Sequence, residues 1–136
     1  MIHNEDKIKI IIVDDSSEFI QGLKFFLETQ LNCNVIGIAS NGLELLNHPL
    51  LPQADILFID CEMPIMNGIE AAIHINYKYP RMRMIAITMY DDSIYLNEII
   101  HVGFKGYVHK TEINTKLNKV LTNVLENKID FTNKAI

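Results

Sequence analysis

The stretch Ile8-Lys-Ile-Ile-Ile-Val-Asp-Asp15 decides the fold, because it is a short, β-branched apolar run that ends in two aspartates. The segment from Ile56 to Ile59 is a second run of this kind, and it is also followed by an aspartate, Asp60. Runs that are apolar at nearly every position are typical of strands buried on both faces of a parallel sheet. The two runs therefore predict buried strands that carry carboxylates at their carboxyl ends.

Three further runs predict strands at Val35–Ile38, Met84–Ile87 and Gly106–His109. Between the strands, apolar residues recur at spacings of three and four, which is typical of helices packed on a sheet. The predicted helical positions are Phe19, Leu23, Phe26, Leu27 and Leu31; Asn41 to His48; Ile69, Ala72, Ile73 and Tyr77; Leu96, Ile99 and Ile100; and Ile113, Leu117, Val120, Leu121 and Val124. This alternation predicts a doubly wound α/β domain with five parallel strands and helices on both faces.

The composition is that of one globular domain. Of 136 residues, 49% are hydrophobic and 21% charged, which suffices for one packed core but not for two ordinary domains. The net charge of −5 argues against direct nucleic-acid binding. The start lacks a secretory signal pattern, and no apolar stretch approaches the ~18 residues of a membrane span. Cys33 and Cys61 have no metal-type spacing, so we expect reduced thiols in a cytoplasmic protein without membrane contact.

Asp14, Asp15 and Asp60 are the candidate metal ligands. Ligands of doubly wound sheets collect at the carboxyl ends of the strands, where these side chains are predicted to lie. Three like charges repel one another unless a cation offsets them, and Mg²⁺ prefers oxygen ligands. Taken singly, Asp15 is also typical of a helix N-cap and Asp60 of a turn residue. The three together favour the metal site.

Thr88 and Lys110 follow the fourth and fifth predicted strands and so lie at the same edge of the sheet. An ammonium and a hydroxyl at that edge are suited to bind an anion. Taken singly, Thr88 is an ordinary strand residue and Lys110 an ordinary surface charge. The five histidines form no i, i+4 pair on a helix, so we assign no histidine metal site.

Four motifs in order resemble the receiver domain of two-component response regulators. They are Ile12-Val-Asp-Asp15, Phe58-Ile-Asp-Cys-Glu-Met-Pro-Ile-Met-Asn-Gly68, Ile87-Thr-Met-Tyr-Asp-Asp92 and Gly103-Phe-Lys-Gly-Tyr-Val-His-Lys110. The chain is most similar to receivers of helix-turn-helix (NarL/LuxR-type) transcription regulators. The resemblance implies the flavodoxin-like strand order 2-1-3-4-5. It also implies a receiver domain over residues 1–128 and a tail, or the start of a linker, over residues 129–136.

The resemblance implies a phosphoryl acceptor and a metal site. Asp60 would accept the phosphoryl group. Asp15 would bind Mg²⁺ or Mn²⁺ directly, and Asp14 largely through water. The backbone carbonyl of Glu62 would be a further ligand, and its side chain would modulate the phosphoryl lifetime.

The resemblance also implies a switch beside the acceptor. Thr88 and Tyr107 would form the switch pair, although an aromatic residue on a strand is more often simply packed. Lys110 would contact the phosphoryl group, and Met89 and Tyr90 would modulate its lifetime. Met89 stands where the family commonly has alanine, which predicts slowed access to the acceptor.

The loop after Lys110 departs from the family pattern. Thr111 stands where the family often has a proline preceded by a cis bond, and a cis bond to a non-proline residue costs ~3 kcal/mol. The geometry of this loop therefore stays open at the level of sequence.

The implied function is two-component signal transduction. A sensor histidine kinase would phosphorylate Asp60 and so switch the face made by the fourth helix, fifth strand and fifth helix. This face would control an output domain or partner in transcription. A C-terminal helix-turn-helix DNA-binding domain outside this chain and a homodimer are both open as partners. The chain would be no enzyme in the usual sense, although it would assist its own phosphotransfer and dephosphorylation.

Two other functions stay open. A Mg²⁺-dependent phosphohydrolase would use Asp60 as its nucleophile, but the sequence has no Asp-x-Asp pair at a strand end and no inserted cap segment. An interaction module could instead work without phosphorylation, but the intact set of site residues argues against it.

Overall fold

A computed structural model of the chain describes residues 7–131. The strands are β1 (Lys9–Val13), β2 (Asn34–Ala39), β3 (Ile56–Asp60), β4 (Arg83–Thr88) and β5 (Gly106–His109). The α-helices are α1 (Ser17–Gln30), α2 (Gly42–Leu46), α3 (Gly68–Lys78), α4 (Ser93–His101) and α5 (Ile113–Leu125). Neighbouring strands are parallel, in the order β2-β1-β3-β4-β5. The predicted fold is therefore confirmed, with each predicted strand end within one residue of its observed position.

Residues 1–6 and 132–136 lie outside the described residues. They include the N-terminal segment that lacks a secretory signal pattern and most of the predicted C-terminal tail. The boundary predicted at residue 128 stays a prediction.

The sheet separates two apolar cores, which explains why its central strands are apolar at consecutive positions. All five residues of β3 are buried. Ile10, Ile12 and Phe58 pack in one core with the buried faces of α1 and α5. Ile11 and Leu57 pack in the other core with α3 and α4. Both faces of β1 and β3 are thus removed from water, as the continuous runs predicted.

The buried face of α3 differs from the one that apolar spacing predicted. Tyr77 and Ile73 are 90% and 53% exposed, so the prediction that they pack on the sheet is wrong. The buried residues are Gly68, Ala71, Ala72 and Ile75. Three of these four residues are small, and α2 packs closely against one of them, since a Cβ on Gly42 would lie 3.0 Å from the Ala71 Cβ. The fit between two helices, and not hydrophobicity alone, selects the buried face.

The helices are short and mostly begin at a capping side chain. Ser16 caps α1, with its hydroxyl accepting a hydrogen bond from the Phe19 amide at 3.2 Å. The alternative reading of Asp15 as this cap is therefore wrong. Asn67 and Glu70 form a reciprocal capping box at the start of α3. Within residues 7–131, no helix combines the length and apolar character that crossing a membrane requires.

Candidate functional site

Three carboxylates converge where β1 and β3 end. Because β1 and β3 pair in parallel, with Val13 opposite Ile59, the residues that follow lie side by side. Carboxylate oxygens of Asp14, Asp15 and Asp60 all lie within 4.8 Å of one another. Asp14 and Asp60 are buried, and Asp15 is exposed. The structure thus brings the three predicted ligands together in an arrangement that could hold a metal ion.

Lys110 is the cation that the fold supplies to this cluster. Its Nζ lies 2.8 Å from Asp14 Oδ2 and 3.3 Å from Asp60 Oδ2, and 4.5 Å from the centre of the Phe19 ring. Burial opposes the charge on Lys110, but the close contact with Asp14 and the charges of Asp60 and Asp14 outweigh it and raise the ammonium pKa. Lys110 therefore stays protonated between the two buried carboxylates.

The setting of Asp60 raises the pKa of its carboxyl group. Burial, followed by the charge of Asp14, raises its pKa to about 6, against the opposing effects of Lys110 and of the Glu62 amide. That amide donates to Asp60 Oδ1 at 3.2 Å, so Asp60 also makes the turn contact considered as an alternative. The single positive charge of Lys110 does not balance the charges of the three carboxylates, and this imbalance favours the binding of a second cation.

Asp14 offers an oxygen that suits such a cation. Its Oδ1 accepts a hydrogen bond from the Ser16 amide at 2.8 Å. Its Oδ2 is buried and makes no hydrogen bond of acceptable geometry, although it forms the ion pair with Lys110. Burial of a carboxylate oxygen is costly unless a cation pairs with it, and Lys110 meets this need only in part because its single charge is shared with Asp60. The donor set of three carboxylates therefore fits a hard, oxygen-binding metal ion.

Gly68 lets α3 start directly against the backbone of the acceptor residue. Its amide donates to the Cys61 carbonyl at 3.1 Å. A Cβ at this position would overlap the carbonyl oxygen of Asp60 and lie 2.9 Å from Cys61 Cα. Because both neighbours are backbone atoms, neither can move without displacing the acceptor.

We expect Gly68→Ala to lower the free energy of unfolding by about 1–3 kcal/mol, as overpacking does in tight sites. Urea unfolding followed by circular dichroism measures this loss. Gly22→Ala is the matched control, since a Cβ there would meet no atom within 4 Å and alanine favours a helix by about 1 kcal/mol over glycine. Equal stabilities for Gly68→Ala and the unmodified chain would contradict the close approach.

Thr88 is buried at the end of β4 and is tied to the neighbouring loop and helix. Its hydroxyl accepts a hydrogen bond from the Tyr90 amide at 2.9 Å. The Tyr95 hydroxyl, from the first turn of α4, interacts with Thr88 and donates to Glu62 Oε1 at 3.4 Å. Burial, then the proximity of Cys61, raises the Tyr95 pKa and keeps the hydroxyl protonated. Analysis of the sequence assigned Tyr95 no such contact.

Tyr107 is buried on β5, on the same face as α4. It pairs with Ala86 in register, two residues before Thr88 on the neighbouring strand. Burial, followed by the charges of Asp91 and Glu112, raises its pKa to about 12. Its ring stacks on Phe131 with centroids 6.1 Å apart and planes inclined by 15°. Residue 131 had been predicted to belong to the tail.

His109 links the two loops above β4 and β5. Its ring lies 3.1 Å from the Met89 carbonyl and 2.7 Å from Thr111 Oγ1, and it accepts from the Thr111 amide at 3.2 Å. Residues 7–131 contain no cis peptide bond, so the Lys110–Thr111 bond is trans. With this trans bond, Lys110 reaches the acidic cluster.

Met89 and Tyr90, which follow Thr88 in the loop after β4, are about half exposed.

A family model, that of the response regulator receiver domain, matches residues 10–122. A transcriptional regulatory protein, DegU of Brevibacillus brevis, is 29% identical over 107 residues, which are 79% of this chain and 45% of that protein. The chain thus spans about half the length of the curated relatives it matches.

Solved structures agree with this match. A two-component response regulator of the LuxR family from Aurantimonas sp. SI85-9A1 shares the fold, with a TM-score of 0.85 and 24% identity over 92% of this chain and 89% of that one. The isolated receiver domain of RcsB from Salmonella enterica serovar Typhimurium, determined with the phosphomimetic BeF₃⁻, has a TM-score of 0.79 and 27% identity over 90% and 91% of the two chains. The chain therefore belongs to the response regulator receiver domain family.

Proposed function

We propose that this domain is a phosphorylation switch, in which a sensor histidine kinase transfers a phosphoryl group to Asp60 in the presence of Mg²⁺. As a receiver domain, the chain is a signalling domain and not a classical enzyme. The observation that carries the proposal is the setting of Asp60, which lies at the end of β3 with Asp14 and Asp15 in ligand range and Lys110 at 3.3 Å.

The transfer begins at a carboxylate oxygen of Asp60. This oxygen attacks the phosphorus of a phosphohistidine, and an O–P bond forms as the N–P bond breaks and the imidazole leaves. With a pKa of about 6, Asp60 is largely ionised at neutral pH and available to attack. Mg²⁺ or Mn²⁺, held by Asp14, Asp15, Asp60 and the Glu62 carbonyl, would neutralise charge on the phosphoryl oxygens.

Lys110 assists because it already faces the acceptor. Its ammonium would exchange its contact with Asp60 for a phosphoryl oxygen, while the shorter contact with Asp14 holds the side chain in place. Positioning and charge neutralisation of this kind allow the domain to assist its own phosphorylation and dephosphorylation.

The phosphoryl group would switch the α4-β5-α5 face through Thr88. Its hydroxyl would turn toward the phosphoryl oxygens and lose its contacts with the Tyr90 amide and Tyr95. Tyr95 belongs to α4, so the helix would lose one contact with the edge of the sheet that carries Asp60. The movement of Thr88 would also leave space into which Tyr107 can turn. The result is a shift of population between two packings that the acyl phosphate stabilises unequally.

The output of the switch would lie outside this chain. We propose a C-terminal helix-turn-helix domain that binds DNA, because the matched relatives are about twice as long and are transcriptional regulators by name. A homodimer through the switching face would serve the same output. The pathway implies a cytoplasmic setting, where the kinase and DNA are both accessible.

Incubation with acetyl phosphate and MgCl₂, followed by intact-mass spectrometry, tests the proposal. We expect one phosphoryl group per chain in the unmodified protein and none in Asp60→Asn. Asp55→Asn is the matched control, since Asp55 accepts a hydrogen bond from the Lys9 amide at the opposite end of the sheet. Modification that persists in Asp60→Asn, or that is absent from the unmodified chain, contradicts the proposal. Multiple turnover of a small phosphate ester would instead indicate a phosphohydrolase.

Met89→Ala tests the role assigned to the residue after the switch threonine. We expect the smaller side chain to open access to Asp60 and to raise the rates of phosphorylation by acetyl phosphate and of hydrolysis by roughly two- to fivefold. Both rates are measured by quenched mass spectrometry. If both rates are unchanged in Met89→Ala, Met89 does not limit access to Asp60.

A further inference from the structure

The chain does not leave the domain at the end of α5 but turns back along β5. Asn127 has a left-handed φ of 64°, and the amides of Asn127 and Lys128 donate to the carbonyls of Val124 and Asn123 at 3.0 and 2.8 Å. This is the Schellman pattern that ends a helix and reverses the chain. Arg83 Nη2 donates to Asn127 Oδ1 at 3.1 Å and so fixes the turn to β4. The reversal is therefore part of the domain.

The C-terminal strap, residues 128–131, then pairs with the edge strand of the sheet. The Asp130 amide donates to the Lys105 carbonyl at 2.8 Å, and the Tyr107 amide donates to the Asp130 carbonyl at 3.3 Å. Asp130 is buried and accepts from Asn123 Nδ2 at 2.8 Å. A Cβ on Gly106 would lie 2.8 Å from Val120 Cγ1, 3.1 Å from Val124 Cγ2 and 3.2 Å from the Asp130 carbonyl oxygen, so glycine permits the close approach of both α5 and the strap. The strap thus covers backbone groups that an edge strand otherwise exposes.

The strap ends with an aromatic ring on the proposed switch residue. Phe131 is 7% exposed and stacks on Tyr107, whereas Ile129 of the same strap is 63% exposed. An aromatic pair of this kind favours the arrangement that contains it by about three- to tenfold in an equilibrium constant. If Tyr107 turns toward Thr88, as the proposed function requires, we expect the two rings to separate.

We propose that Phe131 is a positioning residue for Tyr107, and that the strap transmits the phosphorylation state of Asp60 to whatever follows residue 131. The inference rests on the proposed function. The stack stabilises the packing without a phosphoryl group, and phosphorylation loosens the strap because it draws Tyr107 away. By reciprocity, loosening the strap must strengthen the binding of a phosphoryl mimic by the same factor.

Titration of the 136-residue chain with BeF₃⁻ and Mg²⁺, read by NMR, tests this coupling. We expect Phe131→Ala to bind BeF₃⁻ about three- to tenfold more tightly than the unmodified chain, and Ile129→Ala to bind it equally. We further expect BeF₃⁻ to speed hydrogen exchange at the Asp130 and Tyr107 amides in the unmodified chain. A purely structural role for Phe131 would lower stability without raising this affinity.

Equal or weaker binding in Phe131→Ala overturns the inference, as does unchanged exchange at the two strap amides. Failure of BeF₃⁻ to bind the unmodified chain overturns the proposed function, and the inference with it. Binding to the unmodified chain without a response in the strap leaves the proposed function intact and overturns the coupling alone.

Discussion

Lys110→Met is expected to lower the free energy of unfolding of the metal-free protein by about 2–4 kcal/mol at pH 8, because removing one partner strands buried charge. The lysine lies 2.8 Å from Asp14 and 3.3 Å from Asp60. Without it, two buried carboxylates face each other with no cation between them. Part of the cost is relieved if Asp60 takes up a proton, which sets the lower end of the range.

Magnesium should restore most of this loss, because a divalent cation at the same carboxylates replaces the missing ammonium. Urea unfolding in EDTA and in MgCl₂ gives both values. Lys116→Met is the matched control, since Lys116 forms a half-exposed i, i+4 pair with Glu112 at 3.6 Å and pairs of this kind on helices contribute about 0.5 kcal/mol or less. A loss in Lys110→Met that is the same with and without Mg²⁺ would exclude a shared cation site.

The pH dependence of the Lys110 variant should come from the carboxylates. The pKa of Lys110 is raised in the folded state, so its own stabilising effect is fully present below the unfolded-state value of about 10.4 and is lost only above it. Between pH 5 and 8 the lysine therefore stays charged. The deficit in Lys110→Met should shrink toward pH 5 as Asp60 takes up a proton.

Asp60→Asn should have the opposite effect and raise the free energy of unfolding by roughly 2 kcal/mol at pH 8 in EDTA. Burial and Asp14 raise the Asp60 pKa to about 6, which means that the folded protein holds the ionised form at a cost. Asparagine is similar in size and carries no charge. The residue proposed to accept the phosphoryl group thus destabilises the resting fold, as functional residues often do.

The difference in free energy of unfolding between Asp60→Asn and the unmodified chain should depend on pH. Because the folded-state pKa is raised above the unfolded value of about 3.9, the folded protein binds more protons between roughly pH 4 and 6. The contribution of Asp60 to stability therefore falls as the pH rises through this window, and its full cost is present above pH 6. The gain in free energy of unfolding in Asp60→Asn, relative to the unmodified chain, should be constant near pH 8 and should diminish below pH 6.

Urea unfolding across this range measures the advantage, and Asp15→Asn is its control because Asp15 is exposed. Added Mg²⁺ should stabilise the unmodified chain more than Asp60→Asn and so narrow the difference between them. A less stable Asp60→Asn protein at pH 8 in EDTA would show that the Lys110 contact outweighs burial and repulsion.

Much of the architecture follows from local pattern. Apolar runs placed every strand end within one residue, because a strand buried on both faces must be apolar at consecutive positions. The convergence of Asp14, Asp15 and Asp60 was also accessible once the family resemblance made β1 and β3 neighbours, since parallel pairing aligns the ends of neighbouring strands. The spacing of apolar residues was a poorer guide on α3, where Ile73 and Tyr77 are exposed and the buried face consists of Gly68, Ala71, Ala72 and Ile75.

Contacts between loops were decided only by the tertiary structure. Three such contacts join residues that are 20 to 96 positions apart in the sequence. Lys110 pairs with both Asp14 and Asp60, Tyr95 contacts Glu62, and His109 contacts the Met89 carbonyl. No local periodicity encodes such pairs, because each depends on where separately folded segments meet.

Residues 128–131 show the same division between sequence and structure. These residues were predicted to be mostly tail. In the structure, the backbone of Asp130 forms hydrogen bonds with Lys105 and Tyr107, and the Phe131 ring stacks on Tyr107. By itself, the sequence determined the sheet, its order through family resemblance, and the acids at its edge. Which charges are paired, how deeply Asp60 is buried and what covers Tyr107 depend on packing between distant segments, and only the folded chain brings those segments together.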